Sequence, residues 1–121
     1  AFLERLMFPI DTYLVDESGK RINVAHKPVK TAVIYDMNCP DFLMEQVNYR
    51  TLLGDVQHEL ARLFGSCEIL YVNNTYQFSD YNRYDINMFP EEMKRRQRDE
   101  HFPVDLQNTY ELGKRLASMA E

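Results

Sequence analysis

The sequence predicts an α/β fold built on a parallel sheet, and three observations lead there. Residues 30–37 and 67–73 have the continuous apolar centres of buried strands. One long stretch with helical spacing lies between them, and a strand, a crossover helix and a second strand wind with the strands parallel. No other segment reads as a strand of comparable quality, and two strands cannot cover both faces of such a sheet. The 121 residues are therefore expected to be the C-terminal half of one larger domain, with the remaining strands upstream. Ala1 is not an initiator methionine, and helical spacing is already under way beside it, which agrees with that expectation.

Taken in order, Leu3, Leu6, Met7 and Ile10 share one helical stripe that Pro9 is placed to end. Asp16, Glu17, Ser18, Gly19 and Lys20 follow as a turn. The first strand has an unbroken apolar centre at Ala32, Val33 and Ile34, which suits a strand buried on both faces inside the sheet. Pro40 and Asp41 open the long helix, where Leu52 or Leu53, Val56, Leu60 and Leu63 recur at three- and four-residue steps until Gly65 caps it. After the second strand, Tyr76, Phe78, Tyr81, Tyr84, Met88 and Phe89 alternate with Asn, Asp and Ser and predict an ordered aromatic loop. Pro90 begins a short charged helix. Pro103 sits in the first turn of the last helix, whose apolar stripe is Leu112, Leu116 and Met119.

Composition excludes several classes. The hydrophobic fraction of 45% contains no apolar run long enough for a membrane helix, so a globular, cytoplasmic protein is expected. A net charge of −5 disfavours nucleic acid. The basic cluster Lys94, Arg95, Arg96 and Arg98 is interleaved with Glu91, Glu92, Asp99 and Glu100, with Glu91 to Arg95 and Glu92 to Arg96 at four-residue spacing, and reads as a solvated helix face. Cys39 and Cys67 form no Cys-x-x-Cys pair and suit a reducing compartment. His26, His58 and His101 have no second ligand at metal spacing, so no metal is expected. Ser66 and Ser79 lack a nucleophile-elbow context, and no glycine-rich phosphate loop is present. Asn73, Asn74 and Thr75 match a glycosylation acceptor, which has no meaning in the cytoplasm.

The loop Asp36, Met37, Asn38, Cys39 and Pro40 leaves the carboxyl end of the first strand and enters a helix, where open α/β sheets bind ligands. Asn38 offers both a donor and an acceptor there. The plainer alternative is that Asp36 or Asn38 caps the helix. The tyrosine-rich loop is open to three readings: stacking on a planar ligand, sealing a subunit interface, or packing within its own subunit.

The order of these pieces resembles the flavodoxin-like NADPH-dependent FMN reductase family, in the branch that includes iron-sulfur flavoproteins. The resemblance runs through residues 2–9, Tyr35 to Pro40, Leu70 and Tyr71, residues 74–78 with Asp80, Tyr81 and Tyr84, then Met88, Phe89, Glu91, Glu92, Lys94 and Arg98, and finally Phe102, Pro103, Asp105, Gln107, Glu111, Leu112 and Gly113. It implies that three strands, the Ser/Thr-rich phosphate loop and any cluster cysteines lie upstream. It also implies FMN as cofactor, NAD(P)H as co-substrate and assembly as a homo-oligomer, commonly a dimer or a tetramer.

Carried onto this chain, the resemblance makes Met37, Asn38 and Cys39 the residues beside the flavin ring, with Asn38 as the polar contact and Met37 as apolar packing. Tyr13, Tyr76, Tyr81, Tyr84 and Phe89 become interface or lid candidates. No side chain here is required as a nucleophile or general base, because the flavin carries the chemistry. The expectation is one wall of the flavin site of an FMN-dependent NAD(P)H oxidoreductase, the 121 residues alone being inactive. The alternatives are a non-enzymatic interaction module that uses the aromatic loop, residues 76–89, and an electron-transfer flavodoxin without NAD(P)H turnover.

Overall fold

The structure is a computed structural model that describes residues 2–22 and 27–118. Ala1, His26 and Met119, which figure in the sequence reading, lie outside the described residues. The elements are α1 (Phe2–Met7), β1 (Val29–Asp36), α2 (Asp41–Gln46), α3 (Tyr49–Phe64), β2 (Gly65–Val72), a 3-10 turn (Tyr81–Arg83), α4 (Glu91–Arg96), a π-helical turn (Gln97–His101) and α5 (Phe102–Ala117). Helices combine with a two-stranded parallel sheet, and the class is α/β. Among the described residues no helix is long and apolar enough to cross a membrane.

The chain divides into two compact units, one of Ala1–Val33 with Leu53–Glu68 and the other of Ile34–Leu52 with Ile69–Glu121. In the first, Thr31 Oγ1 donates to the Ser66 carbonyl at 2.7 Å. In the second, the Met37 amide donates to the Val72 carbonyl at 3.0 Å. Both pairs are 35 residues apart, so the register holds along the strands and the partners advance together, as parallel strands require.

The first unit is built around α3, whose Leu60 and Leu63 are buried. Arg62 on the same helix bonds Glu59 at 2.6 Å and Asp11 at 3.0 Å, tying the segment after α1 to α3. Helix α1 stops at Met7, and the amides of Ile10 and Asp11 fold back onto the Met7 carbonyl, so Pro9 closes the helix as its missing donor demands. At the predicted turn, one Asp16 carboxylate oxygen accepts from the Ser18 amide, the Ser18 hydroxyl and the Lys20 amide. That turn brings Val15 and Arg21 into an antiparallel bridge absent from the sequence reading.

Two expectations are corrected. The long helix opened by Asp41 is broken at Val47 and Asn48, because Asn48 adopts left-handed backbone (φ 56), which Asn tolerates better than most residues. Strand β1 is not buried on both faces: Val29 and Ile34 are exposed, and the sheet has two strands among the described residues. Gly65 does end α3, at φ 106, and it opens β2 directly.

In the second unit the predicted short charged helix and last helix join through the π-helical turn. Pro103 has no amide to give to the Asp99 carbonyl, and an α-register ring would press on that carbonyl. The preceding turn widens instead, so the Phe102 amide reaches the Gln97 carbonyl five residues back. Met44, Val72, Tyr81, Lys94 and Leu112 are the buried centre of this unit. Leu116 is half-buried, whereas Val104, Leu106 and Tyr110 on the same helix are exposed.

Candidate functional site

The candidate site lies in the second unit, where β1 and β2 release their loops. The ladder continues past the strands: the Thr75 amide donates to the Met37 carbonyl at 3.1 Å, and the Asn74 amide donates to the Cys39 carbonyl at 3.0 Å. These bonds hold residues 37–39 against residues 73–75. Helix α2 then starts behind Pro40 with no side-chain cap, so neither Asp36 nor Asn38 caps it. Asn38 Nδ2 donates to Gln77 Oε1 at 2.9 Å, and Asn38 Oδ1 is buried without a partner. Asp41, at the first turn of α2, accepts from Arg50 at 2.6 Å and from Asn73 Nδ2 at 3.0 Å.

Two clefts flank this loop pair. One, of about 340 Å³, brings Met37, Asn38 and Cys39 together with Leu43, Met88 and Phe89. All three residues singled out after the first strand thus line a single apolar cleft. The other, of about 260 Å³, is lined by Asp36, Asn73, Tyr76, Lys94, Arg98 and Asp105 among others. Burial pushes the Asp105 carboxyl above its ordinary range, with His101 opposing. Burial likewise pushes the Cys39 thiol up; the Lys94 ammonium opposes this and Asp41 adds to it.

Lys94 stands between the clefts. It is 0% exposed, and its Nζ donates to the Asn38 carbonyl and to Asn74 Oδ1, both at 2.7 Å. The same nitrogen lies 4.9 Å from the centre of the Phe89 ring. Both oxygens are neutral acceptors, and burial pulls the lysine pKa down to about 8. Asn74 is 7% exposed and holds left-handed backbone at φ 59, a conformation that costs energy outside glycine.

The solvated-face reading of the basic cluster is therefore corrected at Lys94. Arg95 is exposed as expected, but it pairs with Glu92 three residues back and not with Glu91. One signal was present in the sequence. Lys94 and Arg98 are the members of the cluster with no carboxylate four positions away on either side, and both line the second cleft. Asn74 carried no comparable signal, since its role depends on a backbone conformation.

The aromatic loop packs on itself. Tyr81 is buried, meets Tyr76 and Phe78 edge-on at 5.7 and 5.4 Å, and accepts the Gln77 amide on its hydroxyl at 3.1 Å. Phe78 stacks on Tyr84 at 4.2 Å, and the Arg98 guanidinium lies over Tyr76 at 5.2 Å. Tyr84 and Met88 stay exposed. Tyr13, in the first unit, is 91% exposed under the Arg21 guanidinium. Both cysteines are free, and among the described residues no group of His, Cys, Asp or Glu is arranged to hold a metal ion. Compared with protein-family models, with curated proteins and with solved structures, the chain matches none.

Proposed function

We propose that this stretch forms the ring-facing wall of an FMN site in a flavodoxin-like, NAD(P)H-dependent oxidoreductase. The observation that carries the reading is the first cleft. Met37, Asn38 and Cys39 leave the carboxyl end of β1 and line it together with Phe89, and ligands of open α/β sheets sit at those ends. Its volume of about 340 Å³ lies within the usual range of small-molecule sites. Its lining is apolar enough for a flat ring. Asn38 Oδ1 is buried without a partner, so a turn of this amide toward the cleft would present an unused acceptor to a ring N–H.

In this reading Met37, Leu43 and Phe89 supply apolar contact, and Asn38 orients the ring. When bound, the flavin supplies hydride and electron transfer, and the residues here bind and orient it and exclude water. No glycine-rich phosphate loop occurs among these residues, so the phosphate end falls to other parts of the intact protein.

The test is a titration with FMN, followed by flavin fluorescence and visible absorption, on the protein with its native flanking sequence. Asn38→Ala is expected to weaken binding about tenfold, equivalent to roughly one lost hydrogen bond. Unchanged affinity would remove Asn38 from the site. NADPH oxidation by the flavin-loaded protein separates a reductase from an electron-transfer flavodoxin.

A second reading, a non-enzymatic interaction module, draws support from the pre-ordered aromatic loop with Tyr84 and Met88 at its surface. An oligomer that survives Tyr84→Ala combined with Met88→Ala counts against it.

A further inference from the structure

A fully buried lysine with no carboxylate among its hydrogen-bond acceptors is costly, because the interior offers its charge only dipoles. Lys94 is such a residue, and what it holds is specific. One N–H goes to the Asn38 carbonyl and a second to Asn74 Oδ1, so the lysine links the loop after β1 to the loop after β2. The Asn74 amide closes the circuit by donating to Cys39, the residue after Asn38. Asn74 holds both partners from left-handed backbone. An ammonium has a third donor, and the Phe89 ring, which lines the same cleft as Asn38, lies beside it.

We propose that Lys94 is the positioning residue of the first cleft, clamping the loops that shape it and setting a buried positive charge behind the Asn38 peptide and the Phe89 ring. The charge half of this proposal rests on the flavin reading above; the clamp half does not.

A bound ring with high electron density is then held more tightly while the lysine is charged. Apart from Lys94, the titratable groups near it are the Cys39 thiol on the loop after β1 and, lining the second cleft with it, Asp36, Tyr76, Arg98 and Asp105. With burial setting the lysine near 8, its charge disappears in a mildly alkaline range.

Two variants and two readouts test the proposal. Lys94→Met keeps most of the apolar stem of the side chain and removes the ammonium with all its donors. Asn74→Asp keeps the lysine and gives it a carboxylate, so it is expected to fold even if Lys94→Met does not. Hydrogen exchange of the Asn74 and Thr75 amides, referred to the β2 amides of the same protein, is expected to accelerate at least tenfold in Lys94→Met and to slow in Asn74→Asp.

The second readout is the affinity for lumiflavin, the ring without its phosphate, between pH 6.5 and roughly 10. Wild-type affinity is expected to fall severalfold through about pH 8. The fall should vanish in Lys94→Met and move to higher pH in Asn74→Asp. Unchanged exchange in Lys94→Met overturns the clamp, and identical pH curves in wild type and Lys94→Met overturn the charge. No lumiflavin or FMN binding by wild type at any pH overturns the flavin reading together with the charge half, while exchange still decides the clamp.

Discussion

The Lys94 ammonium and the Asn74 side-chain oxygen meet at 2.7 Å, with the lysine fully buried and Asn74 nearly so. This is a charge held by a dipole where an ion pair would be ordinary. The consequence is a dependence of stability on pH with a definite sign. Burial lowers Lys94 from 10.5 to about 8, so between those values the unfolded chain binds a proton that the native protein has released. Stability therefore rises with pH across that window, by up to ~3 kcal/mol. Denaturant unfolding of wild type and Lys94→Met at pH 7.5 and roughly 10.5 isolates the effect as a difference, because the contributions of other groups are common to both proteins.

Gly65→Ala is expected to destabilise by about 1–3 kcal/mol. The residue sits at φ 106, and an added Cβ would approach Pro28 Cβ to 3.3 Å. A variant within ~0.5 kcal/mol of wild type in the same unfolding assay would show that the junction of α3 and β2 relaxes freely.

At Tyr81, the hydroxyl and the ring have separable duties. Tyr81→Phe leaves the ring contacts and strands the Gln77 amide, at an expected cost of ~1 kcal/mol. Tyr81→Ala also removes the ring that Tyr76 and Phe78 pack against, and the cost should reach ~3–4 kcal/mol. Thermal unfolding of the pair reads both.

Asp105 titrates with the opposite sign to Lys94. Its carboxyl is raised by burial, so the native state holds this proton more tightly than the unfolded chain does. The stability it contributes is present at low pH and declines as pH rises through its folded value. Asp105→Asn is therefore expected to gain on wild type at pH 7 and to lose that gain below roughly pH 4. Paired melts at the two pH values check it.

Much of the fold was legible because hydrophobic periodicity is local. The stripe ending in Leu60 and Leu63, the apolar centres of both strands and the glycine after Phe64 each announce themselves within a few residues. The break at Asn48 was not legible, since left-handed backbone in Asn is tolerated without being required. Strand burial was misread at Ile34 because an apolar run states what a side chain prefers, and what covers it depends on the rest of the fold. At the site, the position of Asn38 followed from the strand-to-helix order alone. Lys94 was hidden because a lysine among carboxylates is almost always solvated; its burial depends on acceptors 56 and 20 residues away.

The widened turn before Pro103 also acts as a phase adjuster. A helical face is a matter of counting, and each residue added to or taken from the count turns everything beyond it by about 100°. Lys94 and Arg98 precede or occupy the wide turn, whereas Phe102 and Asp105 follow it, and all four line one cleft. Adding a single residue to Gln97–His101, which is already as wide as a turn can be, would leave composition, charge and helix length almost untouched. It would also swing Phe102 and Asp105 off the face they share with Lys94. The spacing from 94 to 105 is thus as much a part of the cleft as the side chains that line it.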